Sequence, residues 1–102
     1  QQRFLVNLEG IGTNTSAGTE LFYVQAYYRT RTSGGAWGAW TVIGQDTYVQ
    51  KLAGVDQSFS CVRTLDISLI GTQDIQFSAG FSKGVGGTAS VGGANLSVFA
   101  FN

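Results

Sequence analysis

Residues 20–31 read ELFYVQAYYRTR, and residues 32–44 read TSGGAWGAWTVIG. The first run alternates. Phe22, Val24, Ala26 and Tyr28 fall on one face, and Tyr23, Gln25, Tyr27, Arg29 and Arg31 on the other. A period of two marks a half-buried strand, and Tyr, Phe and Val are residues that strands prefer. TSGGA interrupts the pattern with turn residues. The spacing therefore predicts a hairpin with arms over residues 22–32 and 36–43. On the second arm Trp37, Ala39, Thr41 and Ile43 share one face, and Trp40 and Val42 the other. If the Ile43 face is core, Trp37 packs near the open end and Trp40 points out beside Tyr27 and Arg29. Two readings of the aromatics follow: core and cross-strand packing, or an exposed surface of rings and guanidinium groups that can stack on sugars or meet another subunit.

The same alternation extends along the chain. RFLVNLE places Phe4, Val6 and Leu8 together, and DIQFSAGF places Ile75, Phe77, Ala79 and Phe81 together. SFSCVRTLDISLI sets Phe59, Cys61, Leu65, Ile67 and Leu69 on one face, with Arg63 as the exception. NLSVFAFN carries Leu96, Val98 and Ala100 on one face but Phe99 and Phe101 on the other. A strand apolar on both faces is covered twice or lies at a subunit interface. Turn clusters are read at GIGTNTSAGTE, TSGGA, GQDT, LAGVDQ, IGTQD and SKGVGGTASVGGAN. No segment has a helical period. The expected fold is all-β: an antiparallel β-sandwich or jelly roll of about seven or eight strands, with an up-and-down barrel as the competing topology.

Composition narrows the function. The 102 residues form one domain over 1–102. Charged residues are 12% of the chain, against a usual share of ~25%, and six basic residues balance six acidic ones. A small domain so poor in charge is expected to have part of its surface covered by other subunits. The absence of a basic run argues against nucleic acid, and the apolar stretches are far too short to span a bilayer as helices. With no His, serine or cysteine catalysis in its usual form is excluded, as are His-containing metal sites. The single Cys61 forms no intrachain disulfide and reads as a buried small hydrophobe. No pair of carboxylates is spaced for glycosidase chemistry, and single Asp residues in GQD and VDQ are weak calcium signals. The chain is therefore expected to be non-enzymatic, without cofactor or metal. The sequons at Asn14 and Asn95 matter only on a eukaryotic secretory route. No Met occurs, so QQRF is expected to begin a fragment or cleaved product, and SVFAFN, which ends without a tail, is read as a C-terminus; the domain is expected to be the C-terminal part of a longer chain.

YYRTRTSGGAWGAWTVIG resembles the aromatic, Arg, Ser-Gly, Trp-x-x-Trp hairpin of bacteriophage tail-fibre and pyocin-type knob modules. More broadly, ELFYVQAYYR, LIGTQDIQFSAGF and GGANLSVFAFN give the chain the look of C-terminal jelly-roll heads of viral fibres, which are similar to TNF and C1q domains. The resemblance implies a homotrimer whose last strands pack near a three-fold axis, with recognition loops at the distal end. Phe99 and Phe101 suit the trimer interface. Tyr27, Arg29, Arg31, Trp37 and Trp40 are the expected ligand contacts. The expected partners are other copies of the chain and a host surface glycan or protein, or other virion proteins. The location would be the extracellular virion surface. The loops are short for deep receptor pockets, which keeps a capsid-decoration role open. A monomeric carbohydrate-binding module is the further alternative.

Overall fold

The computed structural model describes residues 2–14, 20–50, 56–69, 71–83 and 89–101. Among them are six strands and no helix: β1 (Gln2–Asn14), β2 (Glu20–Thr32), β3 (Thr41–Gln50), β4 (Asp56–Ile67), β5 (Gln73–Lys83) and β6 (Ala89–Phe101). No helix long and apolar enough to cross a membrane is present among the described residues. The strands make two three-stranded sheets, ordered β4-β1-β6 and β3-β2-β5, and every pairing is antiparallel. Only the β2–β3 connection stays within a sheet; the others cross from one sheet to the other. The molecule measures 52 × 26 × 17 Å. Its length reflects strands of up to 13 residues, each rising about 3.3 Å per residue.

The alternating faces meet in the middle. Phe4, Val6 and Leu8 of β1, Phe22, Val24 and Ala26 of β2, and Phe59 and Cys61 of β4 are buried. They form two adjoining clusters. One holds Leu8, Phe22, Val24, Phe59 and Cys61, with Tyr48, Ala79, Val91 and Leu96 against it. The other holds Phe4, Val6 and Ala26, with Ile43, Leu65, Phe77 and Val98 among its neighbours. Aromatic contacts carry the first: Phe22 stacks on Tyr48 at 5.3 Å, and Phe59 meets Phe22 at 5.9 Å and Phe81 at 5.8 Å. Edge-to-face pairs at such distances add about 0.5–1.5 kcal/mol each beyond their buried area. Cys61 is fully buried. Burial, with the carboxylate of Asp46 nearby, pushes its thiol pKa up, so the sulfur packs as a neutral hydrophobe.

The two sheets form a sandwich with fewer strands than the expected seven or eight. The difference comes from glycines read as turn residues. GQDT does not turn, because β3 continues through it. A Cβ on Gly44 would lie 2.4–2.8 Å from the Arg63 side chain, so glycine there admits the guanidinium stem; the pairing with β2 shifts register beside it, but the strand continues. Gly12 likewise stays in β1, under the ring of Phe22. Arg63, the exception on an apolar face, is explained by the same approach. Its Nη2 donates to Asp46 Oδ1 at 2.7 Å and Gln45 O at 3.2 Å, and its Nη1 to Val62 O at 2.9 Å. Alongside it, the Tyr48 hydroxyl donates to Ser60 O at 2.7 Å and accepts from Ser60 N–H at 2.8 Å. The seam between β3 and β4 is thus laced by side chains that satisfy backbone groups of Gln45, Ser60 and Val62 on the two edge strands.

Candidate functional site

The outer face of the β3-β2-β5 sheet collects the aromatic and cationic residues of the hairpin. Tyr27, Arg29 and Arg31 alternate outward from β2, opposite Ser78, Gln76 and Asp74 of β5. Residues 33–40 connect β2 to β3 without being strand themselves. Three backbone bonds shape this loop: Ser33 N–H donates to Thr72 O at 2.9 Å, Gly35 N–H to Thr32 O at 2.7 Å, and Gly38 N–H to Thr30 O at 2.9 Å. The latter two fold the loop back over β2 and lay both indoles on the outer face. The Arg29 guanidinium carbon sits 4.3 Å from the centre of the Trp40 ring and 5.0 Å from that of Trp37. The Arg31 guanidinium carbon lies 4.3 Å from the Trp37 ring. Each such contact is worth about 0.5–1 kcal/mol at an exposed site.

Two expectations change here. The second arm of the hairpin begins at Thr41, not at residue 36. Trp37 is correspondingly not on a core face; it lies on the same outer surface as Trp40, beneath the two arginines. Strand alternation does not reach it because residues 36–40 are not strand. Neither Trp belongs to a core cluster, and Trp40 is 41% exposed. All five residues singled out from the sequence, Tyr27, Arg29, Arg31, Trp37 and Trp40, are therefore neighbours on one surface.

Other residues, which the sequence did not single out, hold this arrangement. Arg29 Nε donates to Gln76 Oε1 at 2.8 Å, and Arg31 Nε to Asp74 Oδ2 at 2.9 Å. The Tyr27 hydroxyl donates to Gln25 Oε1, which belongs to an amide that in turn donates to Gln45. Gly80 lies under the Tyr27 ring, and a Cβ there would be 2.7 Å from Tyr27 Cε2. Beside the stack a small open concavity of about 230 Å³ is lined by Tyr27, Trp40, Ser78 and Ala79. Its lining combines two aromatic side chains with a serine. That combination suits one flat ring with polar substituents rather than an extended apolar ligand.

The other sheet faces outward very differently. Directly opposed residues share a face, so Phe99 lies beside Leu5 and Phe101 beside Arg3. Phe99 is 62% exposed, Phe101 43% and Val62 48%. Arg3 makes a two-point contact with Asp66, at 2.6 Å and 3.0 Å. That contact holds the Asp66 carboxyl below the usual carboxylate range. The Asn7 Oδ1 atom, on the same strand face as Leu5, is buried without a hydrogen-bond partner.

Among the described residues no three His, Cys, Asp or Glu side chains are grouped to hold a metal ion. The Asn14 sequon falls partly outside the described residues, as does most of the SKGVGG turn. Compared with protein-family models, with curated proteins and with solved structures, the chain shows no match.

Proposed function

We propose that this chain is a non-enzymatic adhesive head of a virus particle, a phage fibre tip in which three copies of a reduced jelly roll bind a host surface glycan. The observation that carries the binding half is the placing of Arg29 over two indoles, next to a concavity walled by Tyr27 and Trp40. Sugars present a C–H face that packs on aromatic rings and hydroxyls that bond to side chains at the rim; this surface offers both. The arginines of β2 and the backbone bonds of the loop hold the indoles in place, so less ordering entropy is lost on binding. Three linked sites convert a weak single contact into useful avidity.

The assembly half rests on Phe99 and Phe101, exposed on the outer face of β6. Large exposed apolar side chains clustered on one face mark interaction surfaces. The viral assignment rests on the resemblance of the Trp-x-x-Trp hairpin and the closing strand to fibre heads. The same assembly face would serve a capsid-decoration protein, which differs in having no host ligand. A monomeric carbohydrate-binding module would have the ligand surface alone.

One experiment addresses the three readings together. The chain is screened on a glycan array and weighed by sedimentation, beside Trp40→Ala. The fibre-head reading expects a trimer whose glycan signal is lost in Trp40→Ala while the mass is kept. A trimer with no glycan signal favours decoration, and a glycan-binding monomer favours the carbohydrate-binding module.

A further inference from the structure

Arg29 and Arg31 lie on the same surface but differ in their charge partners. Arg31 is paired with Asp74. Arg29 has only the neutral Gln76 on its Nε, and among the described residues no carboxylate pairs with it. A cation held between two rings with its charge unanswered lies beside the concavity of Tyr27, Trp40, Ser78 and Ala79. The Gln76 contact also fixes which edge of the guanidinium is available. With Nε taken, the pair Nη1 and Nη2 remains, and their parallel N–H groups match the two oxygens of a carboxylate.

We infer that the surface takes an acidic sugar, one carrying a ring carboxylate, with its C–H face on Trp40 and Tyr27 and its carboxylate on the Nη1/Nη2 edge of Arg29. This rests on the glycan-binding reading above and narrows it to a ligand class. The described side chains around the stack, Arg29, Arg31 and Asp74, sum to one net positive charge. The site therefore attracts an anion before any contact forms. A neutral sugar would make the ring contacts alone and leave the guanidinium edge to water.

The test titrates glucuronic acid and glucose separately into the chain, following the indole N–H signals of Trp37 and Trp40 by NMR. The wild type, Arg29→Gln, Arg29→Lys and Trp40→Ala are compared, after thermal unfolding has shown each to be folded. The expected result is a preference for glucuronate of roughly tenfold or more in the wild type, as a charge-assisted two-point contact would give. The preference should vanish in Arg29→Gln and fall in Arg29→Lys, which keeps the charge but loses the fork. Rising salt should shrink it. Equal binding of the two sugars, with Arg29→Gln unchanged and Trp40→Ala inactive, overturns the acidic-sugar inference and leaves the ring site standing. Sugar binding that Trp40→Ala does not weaken overturns the ring site itself. No glucuronate binding at tens of millimolar overturns the inference.

Discussion

The outward faces of the two sheets are built on opposite principles. On the β3-β2-β5 sheet nearly every polar group near the rings has a partner: Gln76 holds Arg29, Asp74 holds Arg31, and Gln25 holds Tyr27. The rings are fixed by charge contacts and by a glycine beneath one of them. On the β4-β1-β6 sheet, Phe99 and Phe101 project into solvent with the Arg3–Asp66 pair at one edge, and Asn7 keeps an orphaned acceptor below the surface. An unmade buried hydrogen bond costs about 1–3 kcal/mol. A surface with ordered polar fittings is suited to a small, oriented ligand. A surface that leaves large rings bare is suited to being covered by another protein surface. The two proposed roles thus fall on different residues, and should separate by mutation.

The largest expected effect removes both faces at once. Phe59 touches Phe22, Tyr48 and Phe81, and so ties β4 to all three strands of the facing sheet. Phe59→Ala should cost about 3–5 kcal/mol. In a domain this size each kcal/mol lowers the melting temperature by roughly 4–8 °C. Calorimetry should register the drop, and glycan binding and assembly should be lost together on warming. A melting temperature within a few degrees of wild type would mean that the aromatic cluster is not the common support.

Phe101→Asp comes next. It places a charge on the proposed assembly face without touching the stack on the other sheet. Sedimentation should fall from trimer to monomer, or the chain should aggregate, while a monovalent sugar binds each soluble protomer as before. Wild-type sedimentation in the variant would remove Phe101 from the interface. Gly80→Ala probes the opposite face. The new Cβ must displace the Tyr27 ring, whose stacking is worth about 0.5–1.5 kcal/mol. Affinity should drop severalfold with the oligomer mass unchanged. An unchanged affinity would show that Tyr27 plays no part in holding the ligand.

How far these faces could be read from the sequence depends on what period two can and cannot carry. Phe4, Val6 and Leu8, or Phe22, Val24 and Ala26, are legible as core because one strand alone specifies which residues share a face. The outward set Tyr27, Arg29 and Arg31 is legible for the same reason. Their partners Gln76 and Asp74 are not, because strand register between β2 and β5 is set in three dimensions by packing and is not written in either strand. Trp37 defeats the pattern because it stands in a loop, where alternation has no meaning. Gly44 defeats it differently. A glycine that makes room for a side chain and a glycine that makes a turn look alike until Arg63, from another strand, is placed against it.

The smallest expected effect returns to the apolar face, where the Arg3–Asp66 contact is its polar edge beside Phe101. The hydrogen bonds from Arg3, and with them its charge, lower the Asp66 pKa below that of an unfolded chain. A carboxylate whose folded pKa is depressed stabilises the fold above its unfolded value of about 3.9. That stabilisation is lost as pH falls through the lower folded value. Both side chains are well exposed, at 53% and 38%, so screening keeps the contribution small. Asp66→Asn should therefore melt slightly below wild type at neutral pH. The gap should narrow as the pH is taken below about 4 and shrink when salt is added at neutral pH. A gap of the same size at pH 2 and pH 7 would mean that the side chain acts there through packing or a neutral hydrogen bond. The apolar face would then have no electrostatic edge to set against the charged surface of the other sheet.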